Sequence, residues 1–460
     1  MANKPLTTLE QLKANLLIGI KRLDLSCGLT EFPREIFDLA DSLEILNLSG
    51  NALTNLPDDL PRLYKLRIIF CSDNLFTELP KVLGQCKSLT MVGFKANQIS
   101  SVSDTAFPPM LRWLILTDNR IQSLPGSIGQ CTQMQKLMLA GNQLSDLPVE
   151  LSNCSQLELL RLSANRFSVL PTWLLTMPRL AWLAIAGNPW TDSFEATRQA
   201  PAIASIDWQH IELGAKLGEG ASGVIYQAKL QQTDGSSQQV AVKLFKNAMT
   251  SDGMPRSEMA ASIAVGLHPH VVGVLGQMSH HPQGVVGLVM PLIASDYANL
   301  AQPPSLESCT RDVYAAAAAF GLTQLCSIAL GVARAAEHLH ACGVLHGDLY
   351  AHNMLHNAEG HGLLGDFGAA TFLPINDAEY PEVSQALQRI EVRAFGVLLG
   401  ELLAHCFESD GAAEQAVRSK LVALLQQCTQ TKVSARPLLS EVVRELSAHQ
   451  DHMDSVSSVS

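Results

Sequence analysis

Apolar residues recur every 22 to 23 residues through the first part of the chain. The segment at residues 43–57, LEILNLSGNALTNLP, has the form LxxLxLxxNxLxxLP. Its leading apolar position returns at Leu66, Leu89, Leu111, Met134, Leu157 and Leu180, and its asparagine at Asn74, Asn97, Asn119, Asn142, Asn165 and Asn188. Residues 20–33 fit a shortened first copy. The pattern predicts a stack of short strands whose leucines fill a shared core, with asparagine amides bonded to backbone groups at each turn.

The strand positions between the core leucines point to the opposite side of each predicted strand. Many of these positions hold large apolar side chains, including Ile68, Phe70, Trp113, Ile115 and Trp182. Apolar side chains gathered on one exposed face usually mark a binding surface. The sequence therefore predicts a concave face that binds a protein substrate or regulator, or else the second half of the chain. A coincidence of composition is the remaining alternative.

Charge and hydropathy narrow the possible classes of protein. The net charge of −11 lies wholly in residues 206–460, so an acidic second half argues against nucleic acid as a ligand. None of the ten cysteines lies in a CxxC pair, and the N-terminus lacks the apolar core of a secretion signal. Both features predict a cytoplasmic location. Residues 313–333 carry no charge, but their alanine-rich and partly polar composition predicts a buried helix rather than a membrane span.

Four short motifs follow one another in the second half. They are the glycine-rich segment at 218–223, the apolar strand ending in lysine at 240–243, HGDLYAHN at 346–353 and DFG at 366–368. A glycine-rich hexapeptide alone is weak evidence, but four motifs in this order resemble those of a eukaryotic-type protein kinase. With its repeats, the whole chain resembles a protein kinase that carries N-terminal leucine-rich repeats.

This resemblance implies a fold and domain boundaries. The expected fold class is a two-domain α/β plus α+β protein, in which a leucine-rich-repeat solenoid precedes a bilobal protein-kinase-like domain. The repeat domain would cover residues 1–205 with about eight repeats, and the kinase domain residues 206–448. The polar tail at 449–460 is predicted to be disordered.

The resemblance also implies roles for the motif residues. Asp348 would accept the proton of the attacking hydroxyl, while Asn353 and Asp366 would hold Mg²⁺. Lys243 would bind the α- and β-phosphates of ATP and pair with Glu258. The further residues implied in ATP binding are Gly218, Glu219, Gly220, Ala221, Ser222, Gly223, Ile225, Ala241, Met290 and Leu292.

Several positions depart from the family pattern. Gly347 replaces the arginine that usually holds a phosphorylated activation loop, which predicts control without a phosphate on Thr371 or Tyr380. Tyr350 replaces the lysine that Ser/Thr kinases place near the γ-phosphate, and His352 could partly substitute for it. Glu391 stands where the family has an aspartate that braces the catalytic loop. The buried Glu–Arg pair of the family maps to Glu382 and Arg436.

The sequence thus favours an ATP- and Mg²⁺-dependent protein kinase acting on Ser or Thr, with repeats that recruit a partner or substrate. Tyrosine or dual specificity stays open. One alternative is a pseudokinase scaffold that binds nucleotide and assembles partners. The departures from the family pattern at Gly347 and Tyr350 favour this alternative. Another is phosphorylation of a small-molecule hydroxyl.

Overall fold

The polypeptide folds as two units, Met1–Met177 and Pro178–Ser460. The computed structural model describes residues 6–197, 203–232, 234–246, 249–316, 318–374, 381–407 and 411–457. The domain boundary predicted after residue 205 lies inside the second unit. The last copy of the leucine pattern, which begins at Leu180, therefore groups with the kinase-like sequence.

The leucine-centred segments of the first unit form short parallel strands. After a helix α1 (Thr8–Lys13), the strands are β1 (Arg22–Asp24), β2 (Ile45–Asn47), β3 (Ile68–Phe70), β4 (Glu78–Leu79), β5 (Met91–Gly93), β6 (Ser101–Val102), β7 (Trp113–Ile115), β8 (Lys136–Met138) and β9 (Leu159–Arg161). Strands β1, β2, β3, β5, β7, β8 and β9 pair in that order, and β4 pairs with β6.

The register of this parallel sheet follows the repeat. The central residue of each strand lies opposite the central residue of the next, as in Leu114 to Leu137 and Leu137 to Leu160. All three leucines are 0% exposed. Short 3₁₀ helices occupy the return segments, at Arg34–Leu39, Leu60–Arg62, Lys81–Gln85, Gly126–Gln130, Val149–Asn153 and Thr172–Thr176.

The repeated asparagines satisfy backbone groups at the strand ends. Asn142 Nδ2 donates to Leu116 O at 2.9 Å and to Leu139 O at 3.0 Å, while its Oδ1 accepts from Ile121 N at 3.0 Å. Asn119 and Asn165 make the same kind of bonds. These side-chain amides are buried, and they supply the hydrogen bonds that water would otherwise have to make to the backbone groups. The predicted role of the asparagine is confirmed.

The predicted concave face is less exposed than its sequence suggests. Ile68 is 4% exposed, whereas Phe70, Trp113 and Ile115 are half-buried. The indole of Trp113 contacts the next strand, where Lys136 Nζ lies 4.4 Å from its ring centroid and Met138 Sδ accepts from Nε1 at 3.3 Å. The predicted apolar face is therefore only partly exposed, because neighbouring strands cover part of these side chains.

The second unit begins with a strand and a helix and continues with a six-stranded sheet. These elements are β10 (Trp182–Ala184), α2 (Pro189–Thr197), β11 (Ala204–Asp207), β12 (Ile211–Glu219), β13 (Gly223–Gln231), β14 (Ser237–Phe245), α3 (Pro255–Val265), β15 (Gly276–Ser279) and β16 (Gly287–Pro291). The strand order is β11-β15-β16-β14-β13-β12. Val240, Val242 and Val289 form the centre of a core on one face of this sheet.

The rest of the second unit is mainly helical. It comprises β17 (Ala298–Asn299), α4 (Leu322–Ala341), β18 (Val344–Leu345), β19 (Met354–His356), β20 (Gly362–Leu364), β21 (Thr371–Phe372), α5 (Pro381–Ala404), α6 (Ala412–Cys428) and α7 (Leu439–Ser457). Further 3₁₀ turns lie at Trp208–His210, Ala351–Asn353 and Val433–Ala435. Helix α7 runs past Ala448, so helical structure replaces the predicted disorder as far as Ser457.

The uncharged segment at 313–333 folds only in part as predicted. Helix α4 begins at Leu322, and residues such as Leu325, Ala329 and Val332 on it are buried. The residues described before Leu322 are irregular, apart from isolated bridges at Val313 and Phe320. Within the described part of the chain, no helix combines the length and the apolar character needed to cross a membrane.

Candidate active site

An ion pair joins the six-stranded sheet to helix α3. Lys243 Nζ bonds Glu258 Oε1, and the two side chains are 14% and 4% exposed. This confirms the pairing predicted from the sequence. Burial raises the pKa of the Glu258 carboxyl, the charge of Asp366 raises it further, and Lys243 opposes both effects. Asp366 of the DFG segment thus contributes to the electrostatics of this pair.

The strand register places the residues expected around ATP on one face of the sheet. Ile225 lies opposite Lys243, and Ala241 lies opposite Met290. Because side chains alternate along a strand and directly opposed residues share a face, all four point to the same side. Leu292 follows immediately after β16 and is half-buried.

The glycine-rich turn between β12 and β13 leaves open space next to its backbone. A β-carbon added at Gly218 or Gly220 would have no neighbour within 4 Å, whereas one at Gly223 would lie 2.5 Å from Leu244 O. Gly220 N donates to Gly223 O at 2.9 Å and closes the turn. Gly223 is therefore needed for packing against β14, while Gly218 and Gly220 leave room for a ligand.

Glu219 in this turn is held by lysines. Its carboxylate bonds Lys216 and Lys246, each at 2.5 Å, and these contacts lower the pKa of the exposed Glu219 to about 2. Lys246 Nζ also donates to Gly220 O at 3.1 Å. Ala221 and Ser222 complete the turn, and Ser222 O accepts from Lys246 N at 2.8 Å.

Hydrogen bonds connect the HGDLYAHN loop to the DFG segment. Asn353 Nδ2 donates to Asp348 Oδ2 and to Asp348 O, both at 2.8 Å. Asn353 O accepts from Gly365 N at 2.9 Å, and His346 Nε2 bonds Gly365 O at 2.8 Å. These contacts bring Asp348 and Asn353 next to Asp366, as the motif order predicts.

Asp366 is exposed and adopts an unusual backbone conformation. Its φ is +54°, in the left-handed region, and its Oδ1 accepts from Gly368 N at 3.1 Å. The adjacent Phe367 is 4% exposed, with its ring centroid 5.5 Å from that of His346. Burial of the phenyl ring and the turn at Gly368 thus direct the Asp366 carboxylate towards solvent, where a ligand can reach it.

Asn353 and Asp366 together present oxygen ligands of the kind that Mg²⁺ prefers. Asn353 uses its nitrogen for both bonds to Asp348, which leaves its amide oxygen for a cation. In the part of the chain that the structure describes, no cluster of three or more His, Cys, Asp or Glu side chains could hold a metal ion. Two protein oxygens suit Mg²⁺ that is also held by substrate phosphates.

A buried carboxylate fixes the start of the HGDLYAHN loop. Glu391 Oε1 accepts from Gly347 N at 2.6 Å, and Glu391 Oε2 bonds His340 Nε2 at 2.7 Å. Burial acts to raise the pKa of Glu391, but the hydrogen bond and charge of His340 outweigh it and lower the pKa. Glu391 braces the loop as predicted.

Gly347 cannot be replaced by the arginine of the family in this conformation. Its φ is +74°, and a β-carbon there would lie 2.5 Å from Ala369 O. Thr371 nearby is 1% exposed, so its hydroxyl is not accessible for modification. Tyr380, the other hydroxyl predicted in this segment, lies outside the described residues.

Tyr350 does not occupy the place of the missing lysine. It is 3% exposed, and its ring stacks on that of Trp182 with centroids 4.0 Å apart and an interplanar angle of 6°. Trp182 is itself 1% exposed. Of the two contacts predicted for Trp182, with a partner or with the second half of the chain, the structure shows the second, because the indole packs on the HGDLYAHN loop.

His352 is bound by a carboxylate that the sequence did not reveal. Asp312 Oδ2 accepts from His352 N at 2.9 Å, and Asp312 Oδ1 bonds His352 Nδ1 at 2.8 Å. Burial lowers the pKa of His352, but the bond to Asp312 and the charges of Asp348 and Asp312 raise it more, so the pKa is raised. No motif surrounds Asp312 in the sequence that could have indicated this contact.

The predicted Glu382–Arg436 pair does not form. Glu382 is exposed at the start of α5, whereas the Arg436 guanidinium donates to Gln430 O, Arg389 O and Pro178 O. Burial, together with the charge of Arg393, lowers the pKa of Arg436 to about 9, so it remains protonated at neutral pH. Backbone carbonyls take the place of the expected carboxylate.

Comparisons with known proteins agree with this geometry. Residues 211–401 match the family described as protein tyrosine and serine/threonine kinase, and residues 42–63 match the leucine-rich repeat. The chain is 26% identical over 270 residues to the megakaryocyte-associated tyrosine-protein kinase of Rattus norvegicus, covering 52% of this chain and 54% of that protein. It is 28% identical over 208 residues to cyclin-dependent kinase 10 of Homo sapiens, covering 41% and 53%.

The repeats have relatives of their own. The chain is 31% identical over 112 residues to the leucine-rich repeat and calponin homology domain-containing protein 1 of Mus musculus, covering 24% of this chain and 16% of that protein. It thus spans about half the length of the two kinases and much less of the repeat protein. The chain carries a protein kinase domain of the tyrosine and serine/threonine kinase family together with leucine-rich repeats.

Proposed function

We propose that this protein transfers the γ-phosphate of ATP to the hydroxyl groups of proteins. The observation that carries the proposal is the joining of three elements in one place, which are the Lys243–Glu258 ion pair, the exposed Asp366 carboxylate and the bonded pair of Asp348 and Asn353. Phosphoryl transfer depends mainly on positioning and electrostatics, and this set supplies both.

The nucleotide would bind against the cleft face of the sheet. The open backbone at Gly218 and Gly220 leaves space for phosphates, and Lys243 provides a positive charge fixed by Glu258. Ile225, Ala241 and Met290 supply an apolar surface for the base, with Leu292 at its edge. Met290 would stand beside the adenine as the gatekeeper residue.

Mg²⁺ would be held by Asp366 and by the amide oxygen of Asn353. The bound ion would offset the negative charge of the phosphate oxygens. The protein contributes the fixed orientation of both ligands, because Gly368 N holds the Asp366 carboxylate and Asp348 holds the Asn353 amide.

Asp348 would accept the proton of the substrate hydroxyl. The bond from Asn353 Nδ2 at 2.8 Å stabilises the ionised carboxylate and fixes its direction. The proposed acceptors are Ser and Thr residues, and phosphoamino-acid analysis of the products distinguishes them from Tyr.

His352 would supply the positive charge that a lysine supplies elsewhere. Its imidazole is bonded to the buried Asp312, and the charges of Asp348 and Asp366 favour its protonated form. Tyr350 is buried against Trp182 and leaves this role to His352.

The repeats would form a solenoid that recruits the protein substrate or a regulator. The half-buried Phe70 lies on β3, and Trp113 and Ile115 lie on β7, on either side of β5 in the parallel sheet; they offer an apolar surface with aromatic rings. The acidic second half argues against nucleic acid as a partner, and ten cysteines without a CxxC pair favour a reducing, cytoplasmic location.

The first prediction separates turnover from binding. Asp348→Asn keeps the size of the side chain but removes the proton acceptor, so phosphate transfer should fall at least a hundredfold. Affinity for ATP with Mg²⁺, measured by calorimetry on the full chain, should change less than twofold. Wild-type protein that binds ATP with Mg²⁺ but transfers no phosphate to itself or to a peptide library would contradict the proposal.

The second prediction concerns pH. The raised pKa of His352 extends its positive charge to higher pH than in an ordinary imidazole, and that charge is lost as pH rises through this pKa. The transfer rate of the wild type should therefore fall on the alkaline side. His352→Arg should keep its rate there, while His352→Gln should be about tenfold slower than wild type on the acidic side of this transition, which corresponds to about 1.4 kcal/mol in the barrier. Identical pH profiles for all three proteins would exclude this role.

The third prediction tests recruitment. Trp113→Ala removes the largest ring of the proposed surface, so phosphorylation of intact proteins on an array of purified substrates should drop about tenfold or more. Transfer to short peptides should stay within twofold of wild type. Tyr64→Ala, which removes an exposed ring from a loop of the same unit, is the matched control. An unchanged array pattern for Trp113→Ala would place recruitment elsewhere.

A further inference from the structure

The strand β10 bonds directly to the residues that flank Asp348. Trp182 Nε1 donates to Leu349 O at 3.1 Å, and the Trp182 ring stacks on Tyr350. Both contacts lie within two residues of the proposed proton acceptor. A neighbouring guanidinium, that of Arg311, lies 5.8 Å from the Trp182 ring centroid, and the next residue, Asp312, binds His352.

The segment around β10 is also anchored to the surrounding helices. Arg436 Nη2 donates to Pro178 O at 2.8 Å, and Arg393 Nε of α5 donates to Arg179 O at 3.0 Å. Buried guanidinium groups need oxygen acceptors, and these carbonyls provide them. The segment is therefore fixed by charged hydrogen bonds before it reaches Trp182.

A third contact ties the far end of β10 to the segment after DFG. Ile185 N donates to the buried Thr371 Oγ1 at 3.3 Å, and Thr371 lies in β21, which pairs with β18 just before the catalytic loop. The absence of a side chain at Gly347 allows β10 to approach the backbone of the HGDLYAHN loop. A β-carbon at Gly347 would lie 2.8 Å from Leu183 O, so the β10 backbone fills the space of a side chain at this position.

We propose that Trp182 is a positioning residue for the catalytic loop, and that β10 permanently holds the loop in the form needed for phosphate transfer. Trp182 fixes Leu349 and Tyr350 and so orients Asp348 towards its bond with Asn353. This inference rests on the proposed kinase activity for its catalytic consequence. The contact between β10 and the loop can be tested without that activity.

The main competing explanation is that Trp182 inhibits phosphate transfer. A strand this close to Asp348 could block the protein substrate, and removal of Trp182 would then increase the rate. The bonds described above involve the loop backbone and Tyr350, while the Asp348 carboxylate bonds Asn353. The contacts of Trp182 thus fall on the loop backbone and the Tyr350 ring, next to Asp348 in the sequence.

The test compares two substitutions of Trp182 in the full chain. Trp182→Ala removes both the ring and the N–H donor, and should lower kcat at least tenfold with the KM for ATP within twofold. Trp182→Phe keeps an aromatic ring against Tyr350, and should lower kcat less than fivefold. Trp173→Ala removes a half-buried tryptophan from a 3₁₀ helix of the first unit and should match wild type.

Hydrogen exchange provides a readout that does not depend on turnover. Amides of residues 346–353 should exchange at least tenfold faster in Trp182→Ala than in Trp173→Ala, and at an intermediate rate in Trp182→Phe. If the wild type transfers no phosphate, the proposed function fails, but this comparison still decides whether β10 holds the loop. Equal exchange rates, or a kcat that stays the same or rises in Trp182→Ala, would overturn the inference. If Trp182→Ala does not fold, equal exchange and kcat for Trp182→Phe and wild type would overturn it.

Discussion

The buried Glu391 carboxylate is the contact on which the catalytic loop depends. It accepts the Gly347 amide and bonds the His340 ring, with almost no exposure to solvent. A buried charge of this kind is stable only while its hydrogen-bond partners are present. Its two oxygens reach helix α4, through His340, and the loop, through Gly347. Glu391 thus fixes the backbone at the start of the loop.

The departures from the kinase pattern are connected to one another in the structure. Gly347 leaves the space that β10 occupies, and Tyr350 provides the ring on which Trp182 stacks. The Pro178 carbonyl, in the segment before β10, binds Arg436, for which the kinase resemblance implied a pair with Glu382. Each change removes a familiar interaction, and β10 supplies a replacement at the same place. Contacts that replace one another in this way are unexpected in a kinase-like site that has lost its activity.

The sequence predicted the features that depend on local spacing. The asparagine ladder and a strand that carries Lys243 follow from short patterns, and the structure confirms both, although the strand continues to Phe245. The Lys243–Glu258 pair, which the family resemblance implied, is also present. The contacts that were missed join distant segments without a motif, as in Asp312 with His352 and Trp182 with Tyr350. Trp182 was assigned to an exposed face because the strand pattern specifies which side a residue points to, but not what covers that side. A polar composition likewise failed to predict that α7 continues beyond Ala448.

The central claim is that internal contacts, and not a phosphate, hold the catalytic loop in place. The most direct measurement is the initial rate of phosphate transfer by the full chain after phosphatase treatment, with mass spectrometry to verify that Thr371 and Tyr380 are unmodified. The account predicts that the treated protein keeps most of the rate of the untreated protein from the first turnover. A loss of tenfold or more, about 1.4 kcal/mol in the barrier, that is recovered as either residue becomes phosphorylated would contradict it.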